Sequence, residues 1–322
     1  MKRNLSWRTL NPLLRKKEWF VYYLLFVMTM IFAVLLRDTG FFSSANFINI
    51  IRQTAPVMVM ALGLSFALSV RHIDVSIGAV VSLSAVVCGL LLREVHMVFA
   101  IFGALSVGLF AGVINGLLIE YLKTSSLLVT LGTMSIMIGI ARSISGLESI
   151  PITNEHFVML FGSELFMGIP TSLYWVAILA LVAWLIVHCL TLGRHLLAVG
   201  KSPENALQLT ISPVKIRILA LVMCSLFAAF AGLLYAGRMQ SARYALGEFD
   251  LLNVFIAVAI GSTHLVGSQM RVMGVICGAL LIGLLNNGLI LLGFTINTQL
   301  IVKGLVLVMV ITLVHKELNN AK

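Results

Sequence analysis

The 322 residues of the chain are 60% hydrophobic and only 11% charged, with a mean hydropathy of +1.06 and a formal net charge of +10. A soluble domain carries about 25% charged residues, so too few charges are present here to cover a large soluble core. The composition therefore excludes a soluble globule, a disordered chain and a nucleic-acid-binding domain, and it predicts an all-α polytopic protein in a lipid bilayer.

Ten apolar segments approach the length of about 20 residues that a transmembrane helix needs. We place them at roughly 19–36, 50–70, 73–92, 95–119, 125–143, 173–190, 218–236, 250–267, 272–293 and 297–314. Two of them are weak, because 50–70 contains Pro56 and 250–267 is interrupted by a polar Gly-Ser-Thr-His sequence. We divide the chain into a basic N-terminal segment (1–18), a transmembrane domain (19–316) and a tail (317–322).

Lysine and arginine residues predict the orientation, because cytoplasmic loops are enriched in them. Six precede the first span, and Lys316 and Lys322 follow the last. The long loop 144–172 contains three glutamates and no basic residue, whereas the loop 191–217 contains four basic residues. We therefore expect both termini and the loop 191–217 to lie in the cytoplasm.

Small residues recur at intervals of four in two of the predicted spans. In the fourth span they are Ala104, Gly108, Gly112 and Gly116, and in the ninth they are Gly274 and Gly278. Such stripes let helix backbones approach closely in a membrane. They predict a tightly packed helical bundle and carry no chemistry of their own.

No pattern in the sequence indicates catalysis or metal binding. The seven histidines are dispersed, and each of the four cysteines lies in an apolar run. Gly200-Lys201-Ser202 matches only the end of a phosphate-binding loop, and His195 stands where that motif needs its first glycine. We expect no catalytic residue, metal site or cofactor in this chain, so that the energy for any transport comes from a partner or an ion gradient.

Polar side chains within the spans are the candidates for a solute pathway: Asp74, Ser76, Asn115, Thr130, Thr133, Ser262, Thr263, Asn286 and Asn287. Singly, each is also explained by hydrogen bonds between helices. Asp74 either stabilises the start of the third span, through free N–H groups or a pair with Arg71, or lines a pathway with Ser76. Asn286 and Asn287 point about 100° apart on a helix, so one can face a neighbour and the other a cavity. Amides and hydroxyls suit a neutral polyol better than a metal ion.

The loop at about 192–217 contains a short predicted helix, 203–211. Ser202 is a good N-cap, Pro203 fits the first helical position, and Glu204 suits the first turn. The helix has more apolar residues than a solvated loop needs. It either lies on the membrane surface or docks into a cytoplasmic partner.

Seven short motifs occur in the order typical of one family. They are Ile73-Asp74-Val75-Ser76-Ile77-Gly78, Gly112-Val113-Ile114-Asn115-Gly116, Val129-Thr130-Leu131-Gly132-Thr133, Leu192-Gly193-Arg194, Ala198-Val199-Gly200, Asn286-Asn287-Gly288-Leu289 and Val302-Lys303-Gly304. From about residue 45 to 315 the chain resembles the permease subunits of bacterial ABC importers for ribose and related monosaccharides. Each motif is weak alone, and their common order is specific.

The resemblance implies an ABC importer permease fold in the bacterial inner membrane. It also implies a second permease subunit (a homodimer or a paralogous heterodimer), cytoplasmic ATPase subunits that bind ATP and Mg, and a periplasmic sugar-binding protein. The counterpart of residues 192–213 is the coupling helix at the ATPase, which makes Gly200, Ser202, Pro203, Glu204, Asn205 and Ala206 the candidate contacts. In the predicted outer loop 237–249, Arg238 and Arg243 are candidates to meet the binding protein, although anchoring to lipid headgroups explains them equally well.

The chain departs from this family at two places. Val70-Arg71-His72 stands where relatives have a glycine-rich stretch, and the sequence from Ser262 to Gln269 lacks a paired-glycine pattern. Either the substrate path differs, or the subunit pairs with a different chain that retains the glycines. We expect import of a monosaccharide or a sugar-like solute. The alternatives are a nucleoside or a furanosyl signalling molecule on the same architecture, and an ion-coupled secondary carrier, against which we count the lack of a mid-membrane carboxylate.

Overall fold

The computed structural model describes residues 12–162, 164–262, 267 and 270–320. Its helices are α1 (Pro12–Leu35), α2 (Ser44–Ser69), α3 (Ile77–Glu94), α4 (Met97–Leu122), α5 (Ser126–Ser145), α6 (Glu155–Phe161), α7 (Thr171–His188), α8 (Thr191–Lys201), α9 (Pro203–Gln208), α10 (Pro213–Met239), α11 (Leu251–Gly261), α12 (Val272–Leu291) and α13 (Ile296–Asn320). Its strands are β1 (Ile150–Pro151), β2 (Leu165–Phe166), β3 (Ile169–Pro170) and β4 (Ser241–Ala242).

Nine of the ten predicted spans each coincide with one long helix of the described residues, and the eighth coincides with the short helix α11. Within the described residues, seven helices are long and apolar enough to cross a membrane, namely α2, α3, α4, α5, α7, α10 and α12. The other three predicted spans correspond to shorter apolar stretches at Trp19–Leu35, Leu251–Gly261 and Ile296–Met309. The all-α polytopic fold class is therefore confirmed.

Several helix boundaries differ from the predicted ones, among them the start of α2 and the end of α11. α2 begins at Ser44, six residues earlier than predicted, because the Ser43 side chain caps it by accepting from the Asn46 N–H at 3.2 Å. Pro56 lies inside α2 without ending it. α11 ends at Gly261, so the predicted span 250–267 is too long at its C-terminal end.

α10 lies at the centre of the bundle and packs against α2, α3 and α4. The small-residue stripe of α4 forms the contact with α10, as predicted. A methyl group added at Gly112 would lie 2.8 Å from the Leu221 carbonyl oxygen, and one at Gly116 would lie 3.0 Å from the Ile218 Cα. Gly274 and Gly278 of α12 make the same kind of backbone contact with α11. The glycines thus set the helix spacing here.

The bundle has two opposite faces, which the two ends of α10 define. The near face carries α8, α9 and the link 70–76 between α2 and α3. The distal face carries the link 240–250 and the segment 146–170. On the distal face β1 pairs with β4 in antiparallel register, Ile150 opposite Ala242, and the segment is closed by stacked aromatic rings of Phe161 and Trp175.

The link 240–250 does not stay on the distal face, as a simple outer loop would. Gly89, near the C-terminal end of α3, packs against Ala242, and Gly78, in the first turn of α3, packs against the Gly247 carbonyl. These two contacts lie about 16 Å apart along α3. The link therefore runs inward along α3 through a series of turns at 244–250, and α11 follows it. The predicted loop 237–249 is therefore not a simple outer loop, and the short helix α11 accounts for only the first part of the eighth predicted span, 250–267.

Candidate functional site

The near face contains two short helices where the sequence predicts one. α8 covers Thr191–Lys201 and was not predicted, whereas α9 covers Pro203–Gln208 and ends earlier than the predicted 203–211. The predicted cap is confirmed, because Ser202 Oγ accepts from the Asn205 N–H at 3.3 Å and Pro203 occupies the first turn. α9 stops early because Thr210 takes a left-handed conformation (φ 59°).

The side chains of α9 divide into an outward and an inward set. Glu204 and Asn205 are exposed, and Leu207 and Leu209 are 61% and 66% exposed at the near face. Ala206 is buried, and on α8 Gly200 packs against the Ser69 carbonyl. Ala206 and Gly200 therefore support this segment from inside, and their predicted contact with the ATPase stays a prediction.

Arg71 ties α8 to the link 70–76. Its Nε donates to the Gly200 carbonyl at 2.7 Å, and its Nη2 donates to the Lys201 carbonyl at 3.0 Å. These carbonyls lie at the C-terminal end of α8, where a cation is favoured by the helix dipole. The backbone of Arg71 has φ 67°, a left-handed conformation that residues other than glycine adopt at a cost in free energy. The predicted pair of Arg71 with Asp74 is not formed, because the guanidinium points to α8 instead.

His72 takes part in a second tie on the same face. Its Nε2 lies 3.0 Å from Glu120 Oε1 of α4, and Arg217 Nη1 of α10 lies 3.3 Å from the same oxygen. Burial lowers the pKa of His72 below its ordinary value of 6.5; the Arg217 charge also lowers it, whereas the Glu120 carboxylate opposes the shift. His72 thus joins the link 70–76 to α4, and Glu120 in turn contacts Arg217 of α10.

Asp74, Ser76 and Asn115 form one buried hydrogen-bonded network, and their place on a solute path stays a prediction. All three are fully buried. Asp74 Oδ1 accepts from the Ser76 N–H at 2.9 Å and from the Ser76 hydroxyl at 2.6 Å, and Asn115 Nδ2 donates to Ser76 Oγ at 2.9 Å. Thr130 of α5 joins it by accepting from the Val75 N–H at 3.3 Å. The geometry supports the structural interpretation of Asp74, which satisfies an N–H group at the start of α3.

The remaining threonine and serine candidates mainly bond to their own helices. Thr133 is buried, and its hydroxyl lies 3.3 Å from the Thr130 carbonyl, while the Ser262 hydroxyl donates to the Val258 carbonyl at 2.6 Å. Thr263 lies outside the described residues. Most of the departure between Ser262 and Gln269 is likewise outside them.

The side chains of Asn286 and Asn287 of α12 point to different surroundings, as their angular spacing predicts. Asn287 exchanges two hydrogen bonds with Asn46 of α2, at 3.0 Å and 2.8 Å. This reciprocal pair holds α12 against the first turn of α2 and uses the Asn287 amide completely as an interhelical contact. Asn286 lines a cavity, and its side-chain oxygen has no hydrogen-bond partner.

The cavity has a volume of about 140 Å³ and lies among α2, α10, α11 and α12. Its lining is rich in polar side chains, which include Gln53, Tyr235, Arg238, Asp250, Asn253 and Asn286. Asp250 precedes α11 at the point where the link 240–250 ends, so the cavity lies at the start of this short helix. The Asp250 carboxylate accepts from Asn253 Nδ2 at 2.7 Å and from the Tyr235 hydroxyl.

The two arginines predicted on the outer loop occupy different surroundings. Arg238 is half-buried, lines the cavity and donates to the Arg52 carbonyl at 3.2 Å. Arg243 is exposed on the distal face. Only Arg243 thus has the open placement that the outer-loop prediction assumes.

The comparisons with known proteins agree on one family. Residues 46–311 match the family described as branched-chain amino acid transport system / permease component. The chain is 33% identical over 300 residues to the ribose import permease protein RbsC of Bacillus subtilis (strain 168), covering 91% of each chain. It is 31% identical over 291 residues to the D-allose transport system permease protein AlsC of Escherichia coli (strain K12), covering 89% of each. The chain belongs to this permease family. No solved structure matches it significantly.

Membership in this family makes the chain a permease component of a transport system and not an enzyme. The predicted family is thus confirmed, and so is a multi-pass membrane protein, given the apolar helices of the permease.

Sequence reasoning missed most of the residues that line the cavity of the permease. Gln53, Tyr235, Asp250 and Asn253 lie near predicted span ends, where polar side chains ordinarily meet water or lipid headgroups. One signal was present, since Asp250 and Asn253 are three residues apart and thus share a helix face. What brings them to Tyr235 is the inward course of the link, which hydropathy does not reveal.

Proposed function

We propose that the chain is the membrane-spanning permease subunit of an ABC importer that carries a monosaccharide or a sugar-like solute into the cytoplasm. The similarity to the ribose import permease over 91% of both chains carries this proposal. The D-allose permease of Escherichia coli supports the same solute class. ATP and Mg are then bound by a separate ATPase chain, and this chain holds no cofactor.

The proposed topology has ten spans in the bacterial inner membrane, with both termini in the cytoplasm. The seven long apolar helices and the three shorter ones support that count. The near face carries Arg71, Arg194, Lys201 and Arg217, which supports its assignment to the cytoplasm. The distal face is then periplasmic, and Arg243 is proposed to contact the sugar-binding protein there.

The exposed part of α9 is proposed as the contact with the ATPase. Glu204 and Asn205 are exposed beside Leu207 and Leu209, and an apolar patch next to charged residues on a loop outside the bilayer is typical of an interaction surface. Ser202 and Pro203 set the start of this helix. A second permease subunit, identical or paralogous, completes the proposed assembly.

Uptake by the reconstituted system tests the proposed function. Proteoliposomes containing the permease, its ATPase and its binding protein should take up D-ribose, D-allose or D-galactose only with ATP. Collapse of the proton and sodium gradients should leave that uptake intact. This control matters because Asp74 is a fully buried carboxylate, which removes one of our arguments against an ion-coupled carrier. Uptake that survives without the ATPase would contradict the proposal.

Substitution on α9 tests the docking surface. Glu204→Trp should abolish co-purification of the ATPase while the permease stays folded, because the side chain is exposed. Glu155→Trp is the matched control, since Glu155 is also exposed in the first turn of a short, side-chain-capped helix, on the opposite face. Equal co-purification with both variants would exclude α9 as the docking element.

A further inference from the structure

The cavity at the break between the link 240–250 and α11 has the features of a built polar site. Asn253 is 3% exposed and lines it, and its side-chain oxygen has no hydrogen-bond partner. The side-chain oxygen of Asn286, on the facing helix α12, is also buried without a partner. Buried polar atoms in this condition are costly and uncommon. Two of them on different helices around one cavity indicate that a ligand with hydrogen-bonding groups completes the site.

The irregular backbone next to the cavity also indicates a ligand site. Within a bilayer, non-helical backbone such as the turns at 244–250 persists only where protein or a water-filled cavity satisfies its polar groups. Transporter sites are commonly formed where a span is interrupted in this way. Here the interruption places Asp250 between α10 and α11, with Tyr235 and Asn253 donating to its carboxylate. A carboxylate has about four lone-pair positions, so it can accept further hydrogen bonds.

The charges select the class of ligand. The lining contains one carboxylate, Asp250, and one guanidinium, Arg238, whose Nη1 donates to the Arg52 carbonyl while the group retains other N–H donors. A cation would meet Arg238 and an anion would meet Asp250. No cluster of three metal-ligating side chains occurs in the described part of the chain. A neutral molecule whose hydroxyl groups both donate and accept is compatible with every lining group.

The volume limits the size of that molecule. At about 30 Å³ for each water of the liquid, 140 Å³ corresponds to between four and five waters. This is the scale of one small sugar ring and is too small for a disaccharide. We propose that this cavity is a binding site for a single monosaccharide within the permease, with Asp250 as the central acceptor and the amides of Asn253 and Asn286 on either side. The proposal rests on the proposed function and assigns its solute a place in this chain.

Ligand binding to the assembled transporter in lipid nanodiscs tests this site. Saturation-transfer NMR with D-ribose, D-allose and D-galactose should show binding of the transported sugar to the permease–ATPase complex without the binding protein. Tetrahydropyran, a ring without hydroxyl groups, should give no signal. Asp250→Asn and Asn286→Leu should each weaken sugar binding by roughly tenfold or more, because they remove hydrogen-bonding groups from the cavity.

Asn287→Leu is the matched control, because the neighbouring amide is bound to Asn46 outside the cavity. It should lower the melting temperature and leave sugar binding within about twofold of wild type. Sugar binding that is unchanged in both cavity variants, or equal binding of tetrahydropyran, overturns the site. The site is also overturned if the transporter takes up sugar but the permease–ATPase complex binds none, because the cavity then holds only water. This result leaves the proposed function intact. An absence of ATP-driven sugar uptake overturns the proposed function instead.

Discussion

Replacing Arg71 with glycine tests how much the contact between α8 and the link 70–76 contributes to stability. The change removes two hydrogen bonds from the guanidinium to the carbonyls of Gly200 and Lys201, at 2.7 Å and 3.0 Å. Hydrogen bonds from charged groups contribute about 1.5–3 kcal/mol when buried. Arg71 is exposed, so solvent screening reduces the sum to about 1 kcal/mol.

The backbone conformation of Arg71 changes the free energy of unfolding in the opposite direction. Arg71 has φ 67°, and glycine relieves a cost of about 1–2 kcal/mol for a side chain in that conformation. The free energy of unfolding of Arg71→Gly should therefore stay within about 1 kcal/mol of wild type. Arg71→Ala loses the same hydrogen bonds without that relief and should be less stable than Arg71→Gly by about 1–2 kcal/mol.

Hydrogen–deuterium exchange of the permease in nanodiscs measures the local effect. Amides at the α8–α9 junction should exchange roughly fivefold faster in Arg71→Gly, the equivalent of about 1 kcal/mol. Arg194→Ala removes a positive charge from the exposed side of α8 and serves as the control. Equal protection in wild type and Arg71→Gly, or the same loss in Arg194→Ala, would refute the assignment of Arg71 as the tie.

Three further predictions concern stability. Because the pKa of His72 is lowered in the folded protein, the unfolded chain binds more protons than the folded one just below pH 6.5. The melting temperature should therefore fall as the pH drops from 6.5, and His72→Gln should make the melting temperature less dependent on pH. Gly112→Ala should cost about 1–3 kcal/mol in denaturant titrations because α4 must move away from α10, whereas Gly139→Ala, with open space around it, should be neutral or slightly stabilising. Asn46→Ala and Asn287→Ala should each cost about 0.6–2 kcal/mol, and the double variant should cost less than their sum.

The sequence predicts the parts of this fold that depend on local composition. Apolar length locates the seven helices long enough to cross a membrane, because a bilayer requires that length of a spanning helix. Small residues at intervals of four locate the α4–α10 contact, and Ser202 locates the start of α9, since both signals act over a few residues. α8 was missed because its buried face, Leu196 and Val199, is too short an apolar pattern to stand out beside the preceding span.

The candidate site was harder to predict, because long-range contacts decide it. Polar residues in the spans are chemically alike in the sequence, yet Asn287 bonds to Asn46 and Asn286 lines the cavity. In the sequence, Asp250 is indistinguishable from the polar end of a span. It lines the cavity only because the link 240–250 runs inward. That course depends on Gly247, which has φ 78° and packs against α3, and a lone glycine in a loop does not reveal it.

The link 70–76 and the start of α3 connect the near face to the cavity through a continuous series of contacts. Arg71 holds the end of α8, and the Asp74 network fixes the following residues to α4 and α5. One turn further, Gly78 packs directly against the carbonyl of Gly247, and Asp250 follows three residues later. A displacement of α8 by a partner would therefore reach the carboxylate of the cavity through one buried link. Because residues 74–80 are buried and close-packed, this link favours movement as a unit over local yielding. The predicted departure from the family at Arg71 lies at the first contact of that series, where a glycine would remove the hydrogen bonds to α8.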